Sequence, residues 1–166
     1  MPSSVVRVGV GVCVVSDAHP GCVLLGERAG SHGEGTFAFP GGHLERFEGW
    51  AECAVREVAE ETGLALTDVH LATVLNAVST SDDYHYVVVI MQAKSTGEPQ
   101  TLEPDKCKGW QWYSWHGAGF PANLFAPLAM LRDAGFDPFA SAGSSHGAPG
   151  VSTTMIETAP APPLSQ

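Results

Sequence analysis

Nine residues between positions 42 and 64 carry the chemistry open to this chain: Gly42, Glu48, Arg56, Glu57, Val58, Glu60, Glu61, Gly63 and Leu64. They lie in GGHLERFEGWAECAVREVAEETGL at the spacing Gly-x5-Glu-x7-Arg-Glu-apolar-x-Glu-Glu-x-Gly-apolar. At average residue usage, a chain of 166 residues meets that pattern by accident with odds on the order of one in ten million. Three neighbouring carboxylates repel one another, and the charged state is costly unless a cation sits among them. A hard divalent ion is the usual solution. Mg²⁺ takes oxygen ligands, keeps several waters, and rests on one or two carboxylates plus substrate phosphates. A bare run of glutamates reads more readily as a solvated acidic helix face. Here the turn Pro40-Gly41-Gly42, Glu48 and the pair Arg56-Glu57 accompany it, and the metal reading prevails.

The element that must hold these groups is a helix over Trp50–Thr62. Gly49 is a permissible N-cap, Glu52 stands at the third helical position, and Gly63 falls where a left-handed terminator belongs. At about 3.6 residues per turn, Ala51, Ala54, Val55, Val58 and Thr62 share one side, expected to pack on a sheet. Glu57, Glu60 and Glu61 fall on the opposite side, with Glu57 and Glu61 one turn apart. Arg56 lies one turn before Glu60, within pairing range. One helix is expected to bury a small-residue face and display three carboxylates on the other.

These residues make the chain resemble the Nudix hydrolases, which cleave a nucleoside diphosphate linked to another group. The resemblance continues through VVRVGVGVCVV, HPGCVLLGER, GTFAFPGGHLE, DYHYVVVIMQA, LEPDKCKGWQWYSW and LFAPLAMLRDAGFDPF, covering roughly residues 5–140. In those segments it is similar to the small MutT-like nucleoside-triphosphate diphosphatases. That branch includes a vertebrate thiopurine-nucleotide diphosphatase and a small cytosolic plant enzyme.

Carried over residue by residue, the resemblance implies that Glu57 and Glu61 are the principal Mg²⁺ ligands, with Mn²⁺ as a substitute ion. It gives Glu60 a second ion or a bridging water, adds the Gly41 carbonyl as a ligand, and makes Arg56 the residue that orients the carboxylates. The implied reaction is attack of water on a phosphorus of the polyphosphate, releasing a nucleoside monophosphate and pyrophosphate. Glu60 and Glu61 are candidates for the general base, as are Asp82 and Asp83 if their loop folds over the site. Phe39, Phe125 and Leu128 border the implied base-binding cavity, although aromatics near a helix or turn are more often core. Gly41 and Gly42 complete the substrate-contacting set. Arg28 offers a bidentate guanidinium to a phosphate, with a plain surface arginine as the even alternative.

Two positions depart from the branch pattern. Relatives carry Phe-Gly-Glu after GGHLE, whereas this chain has Arg46-Phe47-Glu48. Phenylalanine is unfavourable there if the position needs positive φ. Gly49 replaces the usual Ser or Thr cap and offers no side-chain oxygen, a loss of roughly a few tenths of a kcal/mol. Neither change removes a catalytic group.

Composition narrows the partners. A net charge of −10 argues against a basic face for nucleic-acid polymers or anionic membranes. Glu45, Glu48, Glu52, Glu57, Glu60 and Glu61 gather where cations would sit. Cys13, Cys22, Cys53 and Cys107 show neither close pairing nor zinc-like spacing, which suits idle thiols in a reducing, cytoplasmic compartment. The apolar stretch 8–15 is far too short to span a bilayer. Members of the branch are often dimers, which brings a homodimer into consideration, though no residue of the chain specifies one.

Along the chain, residues 5–15 and 22–27 read as strands around a turn at 17–21, and 36–39 as a short strand. Residues 29–35 form a glycine-rich loop without the ending or context of a phosphate cradle. Strands are expected at 70–78, 84–93 and 109–115, and a second amphipathic helix at 122–134 with Leu124, Leu128 and Leu131 on one face. His85 reads as a strand histidine, and Trp110, Trp112 and Trp115 as structural. The expected organisation is an α/β/α sandwich with a mixed sheet over residues 1–140, also implied by the resemblance, and a disordered tail at 141–166 rich in small residues and proline.

The leading functional expectation is a Mg²⁺-dependent diphosphatase of oxidised or non-standard purine nucleoside triphosphates such as 8-oxo-dGTP. The alternative keeps the chemistry and changes the substrate to NADH or geranyl diphosphate. ADP-ribose is disfavoured, because no proline lies between Leu64 and Glu98 where relatives acting on it have one. A non-catalytic ligand-binding module would be expected to lack a box glutamate, and none is missing.

Overall fold

The computed structural model describes residues 5–30, 32–80, 83–140 and 155–157. The strands β1 (Arg7–Ser16) and β2 (His19–Arg28) form a hairpin whose turn is Asp17-Ala18. Two short strands follow, β3 (Phe37–Ala38) and β4 (Gly41–His43), then helix α1 (Trp50–Thr62). The long strands β5 (Thr67–Ser79) and β6 (Tyr84–Lys94) precede β7 (Cys107–Ser114), helix α2 (Ala126–Asp133) and β8 (Met155–Glu157).

Among the described residues these strands form one mixed sheet in the order β3-β2-β1-β6-β5-β8, with β4 joined to β1 and β7 to β2. β1 runs parallel to β6 from Arg7↔Tyr86 to Val15↔Lys94, and β5 is antiparallel to β6. β1 is rich in valine, and alternate residues serve opposite faces. Val8, Val10, Val12 and Val14 pack with Ala54 and Val58 of α1 on one side. Cys13 and Val15 join Leu128 and Leu131 of α2 on the other. The result is the expected α/β/α sandwich with a mixed sheet.

One irregularity positions the site. β2 keeps register with β1 only at Val15↔Val23 and Ser16↔His19. β4 takes over beside the first half of β1, pairing Gly9↔His43, Val10↔Gly42 and Gly11↔Gly41. Gly41 is required there: at φ +153° its missing side chain makes room for the Val10 carbonyl.

Several sequence expectations are corrected. The turn at 17–21 shrinks to two residues because Pro20 and Gly21 continue the strand. The second helix begins at Ala126 rather than 122. Phe37 N–H donates to the Asn123 carbonyl at 2.9 Å and Phe125 N–H to the Phe37 carbonyl at 2.8 Å, holding that stretch extended. Pro127 then sits in the first helical turn, where its missing donor costs nothing. α1 has the expected limits, but its buried residues are Cys53, Ala54, Val58 and Thr62, while Ala51 and Val55 are exposed. The packed face is rotated toward Cys53, so Glu57 and Glu61 border it rather than oppose it. The tail expected at 141–166 lies outside the described residues apart from Met155–Glu157, which runs parallel to β5.

Candidate active site

The carboxylate helix is fixed at both ends by glycines. Gly49 caps it in an extended conformation, its carbonyl accepts the Cys53 N–H at 2.9 Å, and its N–H donates to Glu52 Oε2 at 2.8 Å. Gly63, at φ +71°, donates its N–H to the Ala59 carbonyl at 3.0 Å. The preceding loop keeps its turn despite Phe47. That residue takes φ +69°, the left-handed conformation doubted for a phenylalanine; it is 92% exposed, with the Arg46 guanidinium 4.6 Å from its ring centre.

α1 lies along β4 so that its acids meet the strand's glycines. Glu61 Oε2 accepts the Gly41 N–H at 2.9 Å. The Glu57 carboxylate lies where a side chain on Gly42 would have to go. Glu60 points outward, its side chain 52% exposed.

Arg56 ties the loop to the helix. Its Nε and one terminal nitrogen clamp Glu48 at 2.7 and 3.0 Å, and that terminal nitrogen also donates to the His43 carbonyl at 3.2 Å. The other terminal nitrogen donates to Glu57 Oε1 at 2.8 Å and to Glu60 Oε2 at 3.4 Å. The expected Arg56–Glu60 pair is therefore the longer of the two hydrogen bonds on that nitrogen, and Glu48 and Glu57 are the main partners.

The electrostatics follow this geometry. Hydrogen bonds from Arg56 hold the Glu48 carboxyl down at about 2, and the same bonds raise Arg56 above its ordinary value. Burial pushes Glu61 up to about 8, against the pull of the Gly41 N–H, and the nearby Glu57 charge adds to the rise. Burial likewise lifts the Cys53 thiol to about 12, so it stays protonated at neutral pH. All four cysteines are free.

The donor set suits a divalent cation. Glu57 and Glu61 both face the Gly41-Gly42 backbone, and burial and the Glu57 charge oppose ionisation of Glu61, a cost that a neighbouring cation relieves. Among the described residues no three acidic, imidazole or thiol side chains gather tightly enough to enclose an ion on their own. Mg²⁺ does not require that: two carboxylates, waters and substrate phosphates satisfy it.

On the other side of β4 lies a cavity of about 310 Å³. Arg28, Phe39, Gly41, Gly42, Phe125 and Leu128, the six residues singled out for substrate contact, all line it. Arg28 is fixed by a hydrogen bond from Nε to the His32 carbonyl at 3.0 Å, and its guanidinium stands 4.1 Å from the centre of the Phe125 ring. Burial lowers its pKa below the ordinary value. Phe39 is partly core, with its ring 6.4 Å from that of Trp115.

Of the lining residues that sequence reasoning missed, four carry rings able to stack or hydrogen-bond: His32, His43, Tyr84 and Tyr86. Tyr84 and Tyr86 stack at 4.4 Å, His32 stacks on Tyr84 at 5.4 Å, and His43 Nε2 lies 3.0 Å from the Tyr86 hydroxyl. A usable signal was present, since Tyr84, Tyr86, Val88 and Ile90 alternate onto one face of β6 and all line the cavity. His32 arrives from the glycine-rich loop, where Gly33 leaves space for the Phe125 ring. Of the remaining base candidates, Asp83 lines a different cavity and Asp82 lies outside the described residues. His85 is a strand residue bonded to Asn76 at 2.9 Å.

The NUDIX domain family model matches residues 5–131. Among solved structures, the MutT NUDIX hydrolase of Burkholderia pseudomallei is similar at 27% identity and a TM-score of 0.70, over 80% of this chain and 100% of that one. The MutT protein of Methanosarcina mazei Go1 shares the fold at 20% identity and TM-score 0.64, over 80% and 94% of the two chains. So does the NUDIX domain of Shewanella oneidensis NrtR, solved with ADP ribose, at 18% identity and TM-score 0.65, over 79% and 87%.

Proposed function

This chain belongs to the NUDIX domain family and is a hydrolase of phosphoric anhydrides; from that premise we propose that it converts non-standard purine nucleoside triphosphates, with 8-oxo-dGTP as the type, to nucleoside monophosphate and pyrophosphate. The supporting observation is the pairing of Glu57 and Glu61 with Gly41-Gly42, on a strand whose other side borders an aromatic cavity. NUDIX hydrolases generally use divalent metals, and Mg²⁺ is the proposed ion, with Mn²⁺ as substitute. When bound, it neutralises phosphate charge and lowers the pKa of the attacking water.

The chain's own groups supply position. Glu57, Glu61 and the Gly41 carbonyl hold the ion, and Glu60 acts through water from the solvent side. Arg56 keeps Glu57 in place, and Arg28 meets a phosphate at the cavity mouth. The purine ring enters among Phe39, Tyr84, Tyr86, Phe125 and Leu128, where stacking and burial of a flat apolar face are favourable. The water's proton goes to Glu60 or Glu61. A rigid carboxylate frame is most of what such chemistry asks of a protein.

In the same reading residues 1–140 are the catalytic domain and 141–166 a tail, the free thiols suit the cytoplasm, and a homodimer is compatible. Among the described residues no helix is long and apolar enough to cross a membrane. NADH and geranyl diphosphate are the alternative substrates.

The test is a turnover panel of 8-oxo-dGTP, dGTP, NADH, ADP-ribose and geranyl diphosphate with Mg²⁺, run beside Glu61→Gln. The highest kcat/KM ratio names the substrate. Undiminished turnover by the variant would refute the assigned site.

A further inference from the structure

A second cavity, of about 520 Å³, lies beyond the aromatic wall, and the catalytic arrangement makes no use of it. His32, Tyr84 and Tyr86 line both cavities, so the two share one partition. Arg7 lines the second cavity and Gly11 the first. In a strand alternate residues point the same way, so Arg7, Gly9 and Gly11 share one side of β1. A β-carbon on Gly9 would stand 3.6 Å from the Tyr86 ring and 3.8 Å from the Gly42 carbonyl. With no side chain at 9 or 11, the part of the floor that β1 supplies between Gly42 and Arg7 is backbone, with the Tyr86 ring alongside Gly9.

Arg7 is singular in its surroundings. The chain has 18 acidic residues against 8 basic ones, yet among the described residues the Arg7 guanidinium makes no ion pair, hydrogen bond or ring contact. Asp83 lines the same cavity. A guanidinium left open beside an aromatic ring pocket offers a planar fork of donors suited to a phosphate.

We propose that the second cavity is a subsite for a further phosphate carried on the nucleoside half of the ligand, away from the anhydride, and that Arg7 is its contact. This rests on the reading that the ring occupies the first cavity. A ring held against Tyr84 and Tyr86 directs its remote substituent over Gly9 toward Arg7. A phosphate added at that remote position then strengthens binding of the nucleotide.

The test compares the affinities of AMP, adenosine 2′,5′-bisphosphate and adenosine 3′,5′-bisphosphate by calorimetry in Mg²⁺, for the full chain and for Arg7→Gln and Arg7→Lys. At least one bisphosphate should bind the unmodified protein about tenfold more tightly than AMP. Arg7→Gln should bring that ratio within about twofold, and Arg7→Lys should leave it intermediate, because a point charge replaces the fork. Equal affinities in the unmodified protein, or an advantage that survives Arg7→Gln, would overturn the proposal. Thermal melts check that both variants fold. Because Kd is read directly, the outcome stands apart from the turnover panel: a protein that cleaves no anhydride refutes the proposed reaction, whereas matched affinities refute only the subsite.

Discussion

The Glu57 carboxylate fills the volume that a side chain on Gly42 would need. One turn later Glu61 accepts the Gly41 N–H at 2.9 Å, and one turn earlier the Cys53 thiol reaches the His43 carbonyl at 3.6 Å. The row Cys53, Glu57, Glu61 thus runs along His43, Gly42, Gly41 in the opposite sense, one strand residue per helical turn. A turn rises ~5.4 Å and a strand residue ~3.3 Å. The glutamate stems take up that mismatch beyond the Cys53 contact.

The two glycines should therefore fail differently. In Gly42→Ala the new methyl meets the end of the Glu57 side chain rather than backbone, so the fold survives while the carboxylate is displaced. A misplacement of ~1 Å costs about 10²-fold in rate, and kcat/KM should fall by that order with Tm nearly unchanged. In Gly41→Ala the methyl meets the Val10 carbonyl, a fixed backbone group, and the variant should lose stability outright. Equal Tm losses in the two variants would contradict this division.

Much of this frame is legible in the sequence, for identifiable reasons. Helix α1 has its expected limits because Gly49 and Gly63 punctuate it chemically. Its buried face is misjudged because Ala51 and Val55 match the apolar period as well as Cys53 does, and only β4 decides between them. The second helix is overextended because nothing local reveals that Phe37 pairs with residues 123 and 125. The carboxylates and six cavity residues follow from motif and resemblance. His32 and His43 come from loop and strand edge, where no periodicity marks them.

Phe47 holds a left-handed backbone that glycine adopts freely. A β-carbon at such a position destabilises by roughly 1 kcal/mol or more relative to glycine, and an exposed cation–π contact such as Arg46 over Phe47 returns about 0.5 kcal/mol. Phe47→Gly should stabilise the protein by about 0.5–1 kcal/mol, raising Tm by about 1–4 °C. A lower Tm would show that the aromatic ring contributes more than its strain costs.

Glu48 provides the acid limit. Its carboxyl is held at about 2 by Arg56, below the ordinary 4.5. A depressed carboxyl stabilises the fold fully above its unfolded value and loses that contribution as pH falls through the folded one. The difference in urea midpoint between the unmodified protein and Glu48→Gln should be largest at pH 6–7, shrink below about pH 4.5, and vanish only below about pH 2. A gap independent of pH would exclude the ion pair as its source.

Phe125 should separate ring-bearing from alkyl substrates. Its ring lines the cavity under the Arg28 guanidinium. Phe125→Leu keeps apolar volume and removes the stacking face, which is worth roughly 1–3 kcal/mol per base. For a purine nucleotide kcat/KM should fall about tenfold or more, whereas geranyl diphosphate, with no ring to stack, should be little affected. A parallel loss on both substrates would place the ring outside this cavity.

Metal binding should be visible without turnover. Glu61 is half-buried, and both burial and the Glu57 charge oppose its ionisation, while Gly41 N–H donates to it. Glu61→Gln keeps the shape and an acceptor oxygen for Gly41 but removes the charge. In the presence of a chelator the variant should melt no lower than the unmodified protein. Excess Mg²⁺ should then distinguish them: a ligand at ten times its Kd stabilises the folded state by ~1.4 kcal/mol, or about 3–6 °C at this size. The unmodified protein should show that rise, and the variant should show little of it. If Mg²⁺ raises both melting temperatures equally, the ion binds elsewhere, and Glu61 does not hold it.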